Sequence, residues 1–158
     1  MLLGFKRQFA EYVWEGSKTH TIRAFGKRRP FVPGDRADCY CDVRQKGEFL
    51  LGRWAVQRVE NIFIDISGGD TPLVRLNVRL DGVQLDPNET DLFAWRDGFR
   101  RDPGCTLLGA AGSAQMMIEF WQKTHSLPFR GQVIHWHYEA RLRNAAAAAV
   151  FAQWRKAA

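Results

Sequence analysis

The chain has 158 residues, of which 46% are hydrophobic and 25% charged, with eleven Phe and six Trp. That balance fits one folded domain with a full core and excludes a disordered segment or a small disulfide-stapled scaffold. The formal net charge of +6 favours a polyanionic partner, because excess Lys and Arg attract phosphate at long range.

In chain order, Leu3 to Trp14 reads as a short helix, with Phe5, Phe9 and Val13 four apart on one face. Gly16 is a plausible stop, since glycine takes the left-handed conformation without a Cβ penalty. Thr19 to Arg23 is β-branched enough to enter a strand. Residues 26–34 form a basic loop, Gly-Lys-Arg-Arg-Pro-Phe-Val-Pro-Gly, closing at Pro33-Gly34. From Arg36 to Val43 the period is two, and a second strand is predicted from Phe49 to Val59, with Gly52 as a bulge or close-packing point. Ile62, Ile64 and Ile66 alternate as a further strand before Gly68-Gly69. Val74 to Leu80 alternates with one wet face, ahead of an Asp81-Gly82 hairpin turn.

After Pro87 the period changes. Short helices are predicted at Thr90–Arg96 and Ser113–Lys123, the second turning Met117, Phe120 and Trp121 inward, and a last strand at Gln132–Tyr138. The tail from Asn144 is alanine-rich and helix-forming but low in bulk, which suggests an appended helix, frayed or used in self-association. The fold class is α+β: a small curled sheet or barrel with short helices packed against it.

Cys39, Cys41 and Cys105 are odd in number and lack a repeated CxxC spacing, so neither a disulfide framework nor a cysteine zinc module is indicated. His135 and His137 share a strand face; joining them to Cys39 and Cys41 as a zinc site is conceivable but not required by spacing, and ordinary strand histidines are the simpler reading. No apolar run reaches the ~20 residues that span a bilayer. Lys6-Arg7 come too early for a secretory apolar region, so a cytoplasmic protein is expected.

Lys18, Thr21 and Arg23 form the most suggestive cluster. A lysine becomes a base when burial lowers its pKa, a threonine hydroxyl needs such a neighbour to attack, and arginine offers a planar fork for phosphate or carbonyl oxygen. In a flat strand Lys18 and Thr21 face opposite ways, so cooperation requires Lys18 to sit in a bend after Gly16. Asp97, at the end of a short helix where the dipole disfavours an acid, is the second candidate. Lys27, Arg28 and Arg29 could hold phosphates, with Arg23 and Arg44 extending the patch. The alternative for each is a solvated polar junction or charged loop.

The segment Trp14-Glu15-Gly16-Ser17-Lys18-Thr19-His20-Thr21-Ile22-Arg23 resembles the G-x-K-T-x-T-x-R pattern of the ASCH domain family, which has a PUA-like fold. Pro33-Gly34-Asp35, Asp97-Gly98-Phe99 and the strand from Phe129 to Trp136 follow in the same order, so the resemblance spans residues 1–140 and leaves 141–158 as a tail. It implies a PUA-like small β-barrel with flanking short helices and a cleft at the first helix and strand. It also implies binding of RNA or a modified nucleoside. Some members hydrolyse the amide of N4-acetylcytidine, and ribonuclease activity has been ascribed to others. By that resemblance Lys18 is the proton acceptor, Thr21 the nucleophile and Asp97 the proton donor, standing where the amidohydrolases carry a longer glutamate. Neither metal nor cofactor is implied. The remaining alternative is a non-enzymatic RNA-binding module.

Overall fold

The computed structural model describes residues 1–68, 74–100, 110–139 and 145–156; Cys105 and the start of the tail at Asn144 lie outside them. In chain order the elements are β1 (Leu2–Phe5), α1 (Arg7–Glu15), β2 (His20–Ala24), β3 (Arg36–Cys41), β4 (Phe49–Ser67), β5 (Arg75–Leu80) and β6 (Val83–Gln84). They continue with α2 (Pro87–Arg96), α3 (Ser113–Thr124), β7 (Phe129–Trp136) and α4 (Ala145–Lys156). Helices lie alongside a seven-stranded sheet, an α+β architecture in which the sheet is not closed into a barrel.

The 19-residue β4 is the spine. Its first part pairs with β3, its middle with β7 and its end with β5, all antiparallel, while β1 lies parallel to β3 and β2 pairs with β7. Register shifts at Cys39/Tyr40 and Val56/Arg58 let so long a strand bend, as bulges do. Gly52 is the close-packing point that its position in the sequence suggests. A Cβ there would meet the Trp54 ring at 2.3 Å. The Asp81-Gly82 turn follows the expected chemistry, with both residues at positive φ (46° and 87°).

Two elements differ from the sequence reading. Leu2–Phe5 is a strand, and the helix starts only at Arg7, because Leu2 to Phe5 pair in register with Asp38 to Cys41; four apolar or small residues at the sheet edge gain more from that ladder than from a helical turn. The segments 49–59 and 62–66 are one strand. Asp81 Oδ1 accepts from the Asn61 backbone N–H at 2.8 Å, which anchors the chain there without a turn.

The alanine-rich tail is docked. Phe151, 6% exposed, stacks on Trp14 at 4.4 Å and meets Phe49, and the Trp154 indole donates to the Gly47 carbonyl at 2.8 Å. Alanine supplies helix propensity, whereas the two aromatics supply the burial. Among the described residues no helix is long and apolar enough to cross a membrane.

Phe151→Ala removes the anchor of α4 and is expected to cost about 3 kcal/mol, the usual loss for a buried phenylalanine. Urea unfolding measures it; a loss below about 0.5 kcal/mol, the range of ordinary surface substitutions, would mean that α4 is not seated in solution.

Candidate functional site

Phe9, Ala10, Tyr12 and Val13 bury one face of α1. The helix ends at Gly16 with φ 77°, where a Cβ would strike the Tyr138 ring at 2.4 Å, and the Tyr138 hydroxyl donates to the Trp14 carbonyl at 3.0 Å. Only glycine satisfies both the left-handed turn and the close ring. The chain then doubles back, with the Lys18 N–H donating to the Tyr12 carbonyl at 2.9 Å, before β2 begins at His20. Lys18 therefore sits in a bend and not in a flat strand, and it lines the same cavity as Thr21.

The acid arrives from the end of α2, 79 residues along the chain. Asp86 and Glu89 form a capping box that starts α2, and Asp97 caps its C-terminus. Gly98 (φ 99°) turns the chain against Phe9 and Tyr12, and Phe99 buries itself against Phe9 and Phe120. Lys18 Nζ donates to the Asp97 carboxylate and, at 2.5 Å, to the Asp97 carbonyl. One ammonium thus answers both the carboxylate and the negative end of the helix, so an acid survives where the dipole disfavours it.

Lys18, Thr21, Arg23 and Asp97 line a cavity of about 200 Å³, walled by Phe9, Phe99, Phe120, Trp121 and His125. Lys18 and Asp97 are 2% and 6% exposed. Burial lowers the Lys18 ammonium to about 8, although Asp97 opposes the shift. Burial likewise raises the Asp97 carboxyl above its usual range, against the pull of Lys18. A poorly solvated ion pair is thereby brought closer to its neutral form, an amine beside a carboxylic acid.

Arg23 is half-buried. It donates to the Gly4 carbonyl, to the Ile22 carbonyl at 3.1 Å, and lies over the Phe5 ring at 5.2 Å. It also lines a neighbouring groove of about 250 Å³ with Lys27, Arg28, Arg29 and Gln132. Of the three basic loop residues, Arg29 forms a two-pronged pair with Asp35 at 2.6 and 2.8 Å, while Lys27 and Arg28 are exposed. Arg44 is not brought there. It sits between β3 and β4, where its N–H donates to Glu48, and it lines neither cavity.

Arg100 was not among the sequence candidates. Buried to 7% exposure, it donates to the Trp95 carbonyl, the Ser17 hydroxyl and the Ser17 carbonyl, and its guanidinium lies 3.8 Å from the Trp95 ring centroid. It clamps the Ser17–Lys18 bend to the end of α2. Its proximity to Asp97-Gly98-Phe99 was the only signal in the sequence. Cys39 and Cys41 are core residues whose thiols burial pushes up to about 12 and about 11. Among the described residues no group of three or more His, Cys, Asp or Glu is placed to hold a metal ion.

The buried pair gives stability a defined pH dependence. The unfolded chain keeps the Lys18 proton up to 10.5, the folded chain only to about 8, so stability rises with pH across that window. Asp97 acts oppositely at lower pH: above 3.8 the folded state retains a proton that the unfolded chain has lost, and stability falls as pH climbs from there. Relative to the Lys18→Met/Asp97→Asn double variant, the wild type is therefore expected to gain stability between about 8 and 10.5. Urea denaturation across that range measures this; a difference independent of pH would contradict the burial of Lys18.

No protein-family model matches the chain, and no curated protein or solved structure matches it either.

Proposed function

We propose that the protein is an amidohydrolase acting on an acylated nucleobase of the N4-acetylcytidine type, as a free nucleoside or within RNA, and that its fold is of the PUA-like kind with the barrel left open. The observation that carries this reading is the buried Lys18–Asp97 pair sharing one small cavity with Thr21.

A cavity of about 200 Å³ is below the ~300–1,000 Å³ of pockets for drug-sized ligands. It suits one planar group held among Phe and Trp rings, with ribose and phosphate outside. Transfer of a proton within the ion pair leaves Lys18 as a neutral amine and Asp97 as a carboxylic acid. Lys18 then takes the Thr21 hydroxyl proton as Thr21 Oγ1 bonds to the acyl carbon, and Asp97 protonates the departing nitrogen. Arg23, already fixed by two carbonyls, directs a guanidinium N–H at developing oxyanion charge. Water then hydrolyses the threonine ester and releases the carboxylic acid.

The groove shared by Arg23, Lys27 and Arg28 favours a second reading, a ribonuclease that holds single-stranded RNA there. That reading requires a steep fall of activity with salt, because each phosphate contact releases counterions.

Purified protein incubated with N4-acetylcytidine is expected to release acetate, with Thr21→Ala and Lys18→Ala reduced at least ~10³-fold, as when a nucleophile or its base is removed. Thr21→Ser, which keeps a hydroxyl, is expected to retain measurable turnover. Full activity in Thr21→Ala would overturn the mechanism. Cleavage of single-stranded RNA without acetate release would establish the ribonuclease instead.

A further inference from the structure

Behind Asp97 lies a histidine that the mechanism does not use. His20, the first residue of β2, is 4% exposed, and its Nε2 has no hydrogen-bond partner. That atom is 3.6 Å from Asp97 Oδ1. The imidazole stacks on Phe93 at 5.2 Å and meets the His135 ring, its partner in the β2–β7 register, at 5.3 Å. His135 Nε2 in turn lies 2.6 Å from Glu60 Oε2, which Arg58 also holds at 3.0 Å.

Asp97 and His20 line different cavities. His20, Arg58, Glu60, Arg96 and His135 line a second cleft, of about 390 Å³. It has no lining residue in common with the cavity of Lys18, Thr21 and Asp97. The Asp97 Oδ1–His20 Nε2 approach links a residue that lines the first cavity to one that lines the second.

We infer that His20 conducts protons between the buried Asp97–Lys18 pair and the second cleft. Resting on the amidohydrolase reading, this makes His20 the proton exit of the reaction. Hydrolysis of an acyl-cytosine converts amide and water into a carboxylate, the cytosine amine and one proton, and the exocyclic amine is too weak a base to keep it. Acylation leaves Lys18 as ammonium and Asp97 as carboxylate; the acid product then gives its proton to Asp97, so each turnover ends with Lys18 as ammonium and Asp97 as carboxylic acid, one proton more than the resting pair holds. While product fills the front cavity, water cannot remove it there. Asp97 gives the proton to His20 Nε2, His20 releases its Nδ1 proton to the second cleft beside His135 and Glu60, and a half-turn of the ring restores the starting tautomer.

The surroundings suit transfer over storage. His20 faces Lys18 from the α1–β2 bend, Asp97 and Arg96 from α2, Arg58 from β4 and His135 from β7. Burial, then the charges of Lys18, His135, Arg96 and Arg58, hold it well below the usual imidazole range. A neutral imidazole can accept a proton at one nitrogen and give one up at the other without retaining charge.

His20→Gln, which keeps polarity but cannot relay a proton, separates this role from a structural one. With cytidine filling the front cavity, solvent exchange of the Lys18 ammonium protons, followed by NMR on protein labelled with ¹⁵N-lysine, is expected to slow at least ~10-fold, about 1.4 kcal/mol. With N4-acetylcytidine, the first burst of cytidine is expected to survive while steady turnover falls by a similar factor and recovers with added imidazole. Unchanged exchange in a folded His20→Gln would overturn the conduit. Should that variant not fold, His135→Asn at the cleft is the second probe, and unchanged exchange there overturns the conduit equally. Slowed exchange in a protein that releases no acetate would support the conduit and reject the amidohydrolase reading.

Discussion

The salt bridge between Lys18 and Asp97 joins residues 79 apart in sequence, and the site depends on it. It ties the bend after α1 to the C-terminal end of α2, and both partners are out of water. Desolvating two ions costs several kcal/mol each, and mutual attraction recovers that only with good geometry and further hydrogen bonds. Here the further bond is the one from Lys18 Nζ to the Asp97 carbonyl, and Arg100 fastens the same bend through Ser17. Losing one partner leaves a naked buried charge, so the pair stands or falls together.

Such an arrangement is a poor way to stabilise a domain. The core already contains a continuous set of aromatic and aliphatic side chains from every sheet strand but β6, and an apolar pair of similar volume would join it at lower cost. Asp97 also keeps a histidine at its back whose Nε2 is buried without a partner. Two groups shifted by burial in opposite directions, in a cavity that Thr21 also lines, are the kind of local disagreement with folding rules that marks a working site.

Much of this was legible in the sequence. Strand and helix periods located most elements, and Gly16 together with the polar run after it located the bend, because a glycine stop followed by β-branched residues leaves few other geometries. The partner of Lys18 was visible only as an acid at an electrostatically awkward helix end. What lay beyond local pattern was missed: the Leu2–Phe5 strand owes its conformation to pairing with residues 36 positions away, Arg100 matters because tertiary folding brings it to Ser17, and α4 is held by Phe151 and Trp154, not by the alanines that dominate its sequence. His20 was overlooked for the opposite reason. In an alternating strand it reads as one polar residue among several, and its significance comes from the side of Asp97 that it faces.

The position of Asp97 also bears on its length. A longer glutamate would extend its carboxylate away from the main chain, whereas aspartate at a helix cap keeps carboxylate and carbonyl close enough to share one ammonium. In that geometry Lys18 is held by two oxygens of a single residue. The shorter acid thus trades reach for a fixed ammonium. On the proposed reading the substrate must come to Asp97, and the narrow aromatic cavity, not a flexible acid, decides which acyl groups arrive at the right distance.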